Sequence, residues 1–139
     1  MISSEILHEV TLPITINSND ITLRNIIDDS ILLLIQINNK IDNKEFLLEI
    51  PYPISYKISY KEIGSGINFE RMLYLVENSE YKEWAINDGM HIAYSKEFNI
   101  KHYQLHVSNI VVDILTEDIC FLRLGTQQLA LNGLTLTKL

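Results

Sequence analysis

The chain has 139 residues, enough for a single domain (1–139) to bury a core without disulfide or metal staples. Hydrophobic residues make up 47 %, which argues against disorder. Its 11 basic and 18 acidic residues leave a net charge of -7, which argues against a nucleic-acid partner and suits a basic protein partner or simple solubility.

Val10, Leu12, Ile14 and Ile16 alternate with Thr11, Pro13 and Thr15. This pattern predicts a half-buried strand, and Pro13 places it at a sheet edge. Asn17-Ser-Asn-Asp20 is a turn cluster, after which Ile21 and Leu23 begin a second strand that Asp28 and Asp29 interrupt. Residues 31 to 37 are apolar on both faces except at Gln36, the pattern of a central strand. Residues 38 to 44 form a polar loop, and Phe46, Leu48 and Ile50 alternate in a return strand that Pro51 and Pro53 end.

Tyr56, Ile58 and Tyr60 alternate with Ser55, Lys57 and Ser59, which predicts a strand with one wet face. Gly64-Ser-Gly66 lacks the spacing and the lysine of a phosphate loop and reads as a turn. Residues 71 to 76 fit a strand or a short helix equally well.

One helix is expected, near residues 79–88. Asn78 and Ser79 are candidate N-caps, and Tyr81, Trp84 and Ala85 form an apolar stripe. Glu80 and Glu83 suit the positive end of the helix dipole, and Gly89 is placed to end the helix. Met90 to Tyr94 continue as a further turn or as a loop.

A β-hairpin is expected over residues 102 to 115, with Ser108 and Asn109 as its turn and Asn109 tolerating positive φ. Val107 then pairs with Ile110, Leu105 with Val112 and Tyr103 with Ile114. Tyr103, Leu105, Val112 and Ile114 are therefore candidate core, with Trp84 packed on the same sheet. The other face sets Asp113 opposite Gln104, with His102 and His106 on the diagonals. These four residues read as a polar structural cluster, a partner-contact surface or an acid–base site. Roughly 13 Å of strand separates the two histidine Cα atoms, which argues against one metal ion shared by both rings.

Thr116-Glu-Asp118 is a turn, and residues 119 to 124 form a strand. There Cys120, the single cysteine, reads as a small buried hydrophobe. Asn132-Gly133 is the preferred pair for a type I′ turn and predicts a C-terminal hairpin joining residues 127–131 to 134–138. Leu129, Leu131, Leu134 and Leu136 share one face of that hairpin. The face is expected to be buried against the body of the protein, in a homodimer or against a partner.

Alternation through most of the chain, with one capped helical stripe, predicts an α+β fold: mainly β, antiparallel strands and one main helix. The four histidines are His8, His91, His102 and His106. None lies in a zinc-binding His-Glu-x-x-His arrangement, and no Gly-x-Ser-x-Gly elbow occurs. The expectation is therefore no enzyme, no metal and no cofactor. The start Met-Ile-Ser-Ser-Glu shows no signal-peptide pattern, and the longest apolar run, residues 31 to 35, is far shorter than a membrane span. No membrane partner and a cytoplasmic location are expected.

Ser79-Glu-Tyr-Lys-Glu-Trp84, followed by Ile100-Lys-His-Tyr103 and Ile110-Val-Val-Asp-Ile-Leu115, resembles small bacterial immunity proteins of polymorphic or contact-dependent toxin systems. In that pattern a helix with an aromatic residue precedes a His-Tyr strand and a second strand carrying an acidic residue. The resemblance covers about a third of the chain. It implies a cytoplasmic inhibitor that binds and occludes a cognate toxin, with Glu77, Glu80, Glu83 and Asp88 as candidate contacts to a basic toxin domain. The alternative reading is a structural or assembly protein of a phage or secretion-system particle.

Overall fold

Strands with one apolar face bury that face by stacking in two sheets. The structure, a computed structural model, describes residues 5–10, 12, 16–29, 31–60, 71–89, 100–116, 120–124, 127–130 and 136–138. The described strands are β1 (Ile6–Val10), β2 (Ile21–Asp28), β3 (Leu32–Asn39), β4 (Glu45–Pro51), β5 (Ser55–Tyr60), β6 (Leu73–Glu77), β7 (Lys101–Val107), β8 (Ile110–Thr116), β9 (Phe121–Leu124), β10 (Gln127–Ala130) and β11 (Leu136–Lys138). A short helix α1 (Glu80–Trp84) runs into a π-turn over Ala85–Gly89.

Among the described residues, one sheet has six strands in the order β11-β1-β6-β7-β8-β5, and the other five in the order β10-β9-β4-β3-β2. Every pairing is antiparallel. This is the expected mainly-β architecture with one short helix. Among the described residues, no helix is long and apolar enough to cross a membrane.

The main core lies between the sheets. Leu33, Ile35, Ile37, Phe46, Leu48 and Ile50 from one sheet meet Leu73, Tyr103, Leu105, Val107, Val112 and Ile114 from the other. Cys120 is buried in the same cluster. A smaller cluster of Tyr81, Ala85, Ile100 and Leu115 lies on the outer face of the six-stranded sheet, where α1 packs. The layers therefore run helix, six-stranded sheet, five-stranded sheet.

The central hairpin keeps the expected register: Val107 opposite Ile110, Leu105 opposite Val112, Tyr103 opposite Ile114 and Gln104 opposite Asp113. Its turn differs, because Ser108 rather than Asn109 takes positive φ (54°). The cause is tertiary. The Ser108 amide donates to Ser18 O at 2.7 Å, and its hydroxyl donates to Ile21 O at 2.6 Å, which ties the turn to the start of β2.

The segment expected as a strand or a short helix forms a strand, β6, over Leu73–Glu77, with β1 and β7 as its two neighbours. The first strand, β1, lies N-terminal to the expected one. Its face of Ile6, His8 and Val10 contains a histidine that breaks the apolar pattern. Leu12 and Ile16 lie outside any strand, and Pro13 lies outside the described residues, as do Gly64 to Gly66 and Met90 to Tyr94. Asn17 caps a 3₁₀ turn over Ser18–Asp20, accepting from the Asn19 amide at 2.9 Å, as the turn cluster suggested.

Two further expectations are overturned. The C-terminal hairpin does not form: β10 pairs with β9, whereas β11 pairs with β1 in the other sheet. A turn preference is a local effect. Here each half of the segment instead completes an open strand edge, so Leu129 lies opposite Leu122 and Leu136 opposite Val10. A homodimer through that hairpin loses its structural basis. Trp84 also fails to pack on the sheet. It is 49 % exposed, because Tyr81 takes the sheet-facing place and Trp84 stacks outside it at 5.9 Å.

Candidate functional site

The site begins where β6 turns into α1. Asn78 makes the turn with φ of 57°, a left-handed conformation that asparagine tolerates better than most residues. Ser79 follows in an extended conformation, and its Oγ accepts the Lys82 amide at 2.9 Å, capping the helix as expected.

The same hydroxyl lies 2.6 Å from His102 Nδ1, and the opposite ring nitrogen, Nε2, lies 2.7 Å from Asp113 Oδ1. A carboxylate only accepts, so Nε2 carries the proton. In the neutral ring Nδ1 then accepts from the Ser79 hydroxyl. Gln104 donates its amide to the same Asp113 oxygen at 3.0 Å, and its own carbonyl accepts from His106 Nε2 at 2.7 Å. Ser79, His102 and Asp113 are 4 %, 3 % and 6 % exposed, so the chain of bonds runs through protein interior.

The expected cluster of His102, Gln104, His106 and Asp113 is thus brought together, and Ser79 joins it. Two rings wall it in edge-on: Tyr81 against His102 at 5.5 Å and Tyr74 against His106 at 5.2 Å. The Tyr81 hydroxyl is hydrogen-bonded to the Ser55 hydroxyl, and Lys57 Nζ sits 4.7 Å above the Tyr81 ring. Burial pushes the Asp113 carboxyl up, but the bonds from His102 and Gln104 and the charges of His102 and Lys57 outweigh it. The net position is below the ordinary carboxylate value. Burial likewise raises the Tyr81 phenol.

Ser79–His102–Asp113 has the order of a nucleophilic relay, yet its surroundings oppose that chemistry. The Ser79 oxygen is already committed as the helix cap. The neighbouring Glu80 amide, a natural donor to a developing oxyanion, donates to Glu5 Oε2 at 2.8 Å. Glu77, Glu80 and Glu83 add negative charge around the same point. The arrangement instead pins the helix to the sheet. Among the described residues no group of three or more His, Cys, Asp or Glu side chains could hold a metal ion.

Three of the four acidic candidates, Glu77, Glu80 and Glu83, line one cavity of about 1230 Å³ beside α1, with Lys82, Lys101, Ile86 and Ile100. Glu77 pairs there with His8 at 2.9 Å. Glu80 also lines a second hollow of about 480 Å³ with Lys57, Tyr81 and Trp84, so it stands between the two. The Asp88 side chain lies outside the described residues. No family model, no curated protein and no solved structure matches this chain.

The sequence reading missed Ser79 as a partner of His102, which lies 23 residues away. The signal available was an N-cap serine preceding a strand whose wet face carries two histidines.

Proposed function

We propose that this chain is a cytoplasmic protein-binding inhibitor, an immunity protein that neutralises a basic bacterial toxin domain by occluding it. The observation that carries this reading is the convergence of Glu77, Glu80 and Glu83 on the hollow beside α1. The helix bearing two of them is anchored by buried hydrogen bonds. A pre-ordered carboxylate array loses little freedom on binding. The net charge of -7 would steer a basic partner towards it. Occlusion needs no catalytic group.

The second reading, a component of an assembled particle, is favoured by one observation: the exposed apolar residues Ile58 and Tyr60 on the sheet-edge strand β5.

The test is to co-express this protein with the product of the adjacent gene and score growth. Rescue of a toxic product, with association that slows as salt rises and slows further in Glu80→Lys/Glu83→Lys, supports inhibition. Toxicity that persists despite soluble expression, or the lack of any toxic neighbour, contradicts it and favours the assembly reading.

A further inference from the structure

A sheet edge attracts another strand when it is long, regular and poorly shielded by charge. The two sheets present four edges among the described residues. At one, β11 has three residues, and at another β10 has four. A third, β2, is longer, but its register is broken between Leu23 and Asn25, the kind of bulge that discourages further pairing. The fourth, β5, has six residues in unbroken register with β8, its only strand partner among the described residues. Its sandwich-side ladder ends in Ile58, 49 % exposed, and Tyr60, 72 % exposed. Lys57, the charge that would shield this edge, leans over its own subunit's Tyr81 ring.

We propose that β5 pairs antiparallel with β5 of a second copy of this chain, about a twofold axis through Ile58, so that the two six-stranded sheets become continuous. The sequence of the strand selects that register. Residues opposite one another across an antiparallel pair share a face. An axis through residue 58 sets Ile58 against Ile58 of the partner subunit and Tyr56 against Tyr60 of the partner subunit. It also sets Lys57 against Ser59 of the partner subunit. Every apolar side chain then meets an apolar one, and the lysines stay apart. An axis through residue 57 would oppose two lysines, and an axis between residues would set the apolar face of one copy against the polar face of the other. Six residues a side is well below the roughly 20–30 of a standard interface, so the pairing is a weak, reversible equilibrium.

Sedimentation of the wild-type protein up to about 1 mM, with two cysteine variants, tests this. Ile58→Cys sets two thiols face to face across the axis, where antiparallel Cα separations of about 4.5–5.5 Å suit a disulfide. Tyr60→Cys does not face itself, and the native Cys120 is buried. The expected result is a monomer–dimer equilibrium that tightens as salt rises, because each copy carries -7. Ile58→Cys should oxidise to a covalent dimer at least tenfold faster than Tyr60→Cys, and Ile58→Asp should abolish association with an unchanged circular dichroism spectrum. A wild-type protein that stays monomeric throughout, or equal cross-linking by the two variants, overturns the proposal. The salt response is opposite to that expected for capture of a basic toxin, so the two ideas fail separately.

Discussion

The two faces of the β7–β8 hairpin are both buried, but different forces hold them. On the inner face Tyr103, Leu105, Val112 and Ile114 pack against the second sheet. On the outer face His102, Gln104, His106 and Asp113 meet one another through directed bonds of 2.7–3.0 Å. Apolar packing tolerates small displacements and fixes mainly which face is inside. A buried polar chain tolerates little, because each lost partner strands a desolvated group. The inner face therefore makes the sandwich, while the outer face fixes where α1 sits and how its carboxylates are presented.

The largest expected effect is on the inner face. Leu105→Ala should cost about 2–5 kcal/mol by chemical denaturation, since the residue is wholly buried and a core relaxes only partly into the space left. A loss below about 0.5 kcal/mol would mean that the inner face is not the principal core. On the outer face Asp113→Asn should cost roughly 1–3 kcal/mol, because an amide oxygen accepts the bonds from His102 and Gln104 without the carboxylate's charge, which weakens both. Ser79→Ala should cost about 0.5–2 kcal/mol by removing a helix cap. A fluorophosphonate probe should leave Ser79 unmodified in the wild type; labelling there would recast the relay as a nucleophile.

The two faces also differ in pH response. Folding holds the Asp113 carboxyl below its ordinary value of 3.8, so its contribution is complete above about pH 4 and is lost as pH falls through the folded value. Burial, with the nearby Cys120 adding to it, pushes the Tyr103 phenol up from 10.0 to about 12. That contribution is complete below about pH 10 and is lost as pH rises towards 12. Asp113→Asn should therefore soften the acid limb of the stability profile and Tyr103→Phe the alkaline limb. Profiles unchanged in shape would contradict both assignments.

The hairpin was legible in the sequence because the apolar residues at 103, 105 and 107 and at 110, 112 and 114 pair in one register alone. Its polar row followed from the same alternation, and the Ser79 cap from a capping residue type placed just ahead of an apolar helical stripe. Other features were decided by distant partners. Asn132-Gly133 carries a strong local turn code, but the segments on either side of it complete two different sheet edges. The stripe of Tyr81, Trp84 and Ala85 did not reveal which aromatic ring would face the sheet; the hydroxyl of Ser55 and the ring of His102 favour Tyr81. The apolar side of β5 was legible, but its exposure was not, because that depends on β5 being the outermost strand of the wider sheet.

Hydrogen exchange of the helix amides tests most directly the claim that the outer face anchors α1. The Lys82 amide donates to Ser79 Oγ and the Glu83 amide to Ser79 O. In Asp113→Asn both should exchange at least tenfold faster than in the wild type, beyond any global loss of stability, while the amides of Leu105 and Val112 keep the protection expected from that global loss alone. Helix amides that change only as much as those of the hairpin would contradict the account.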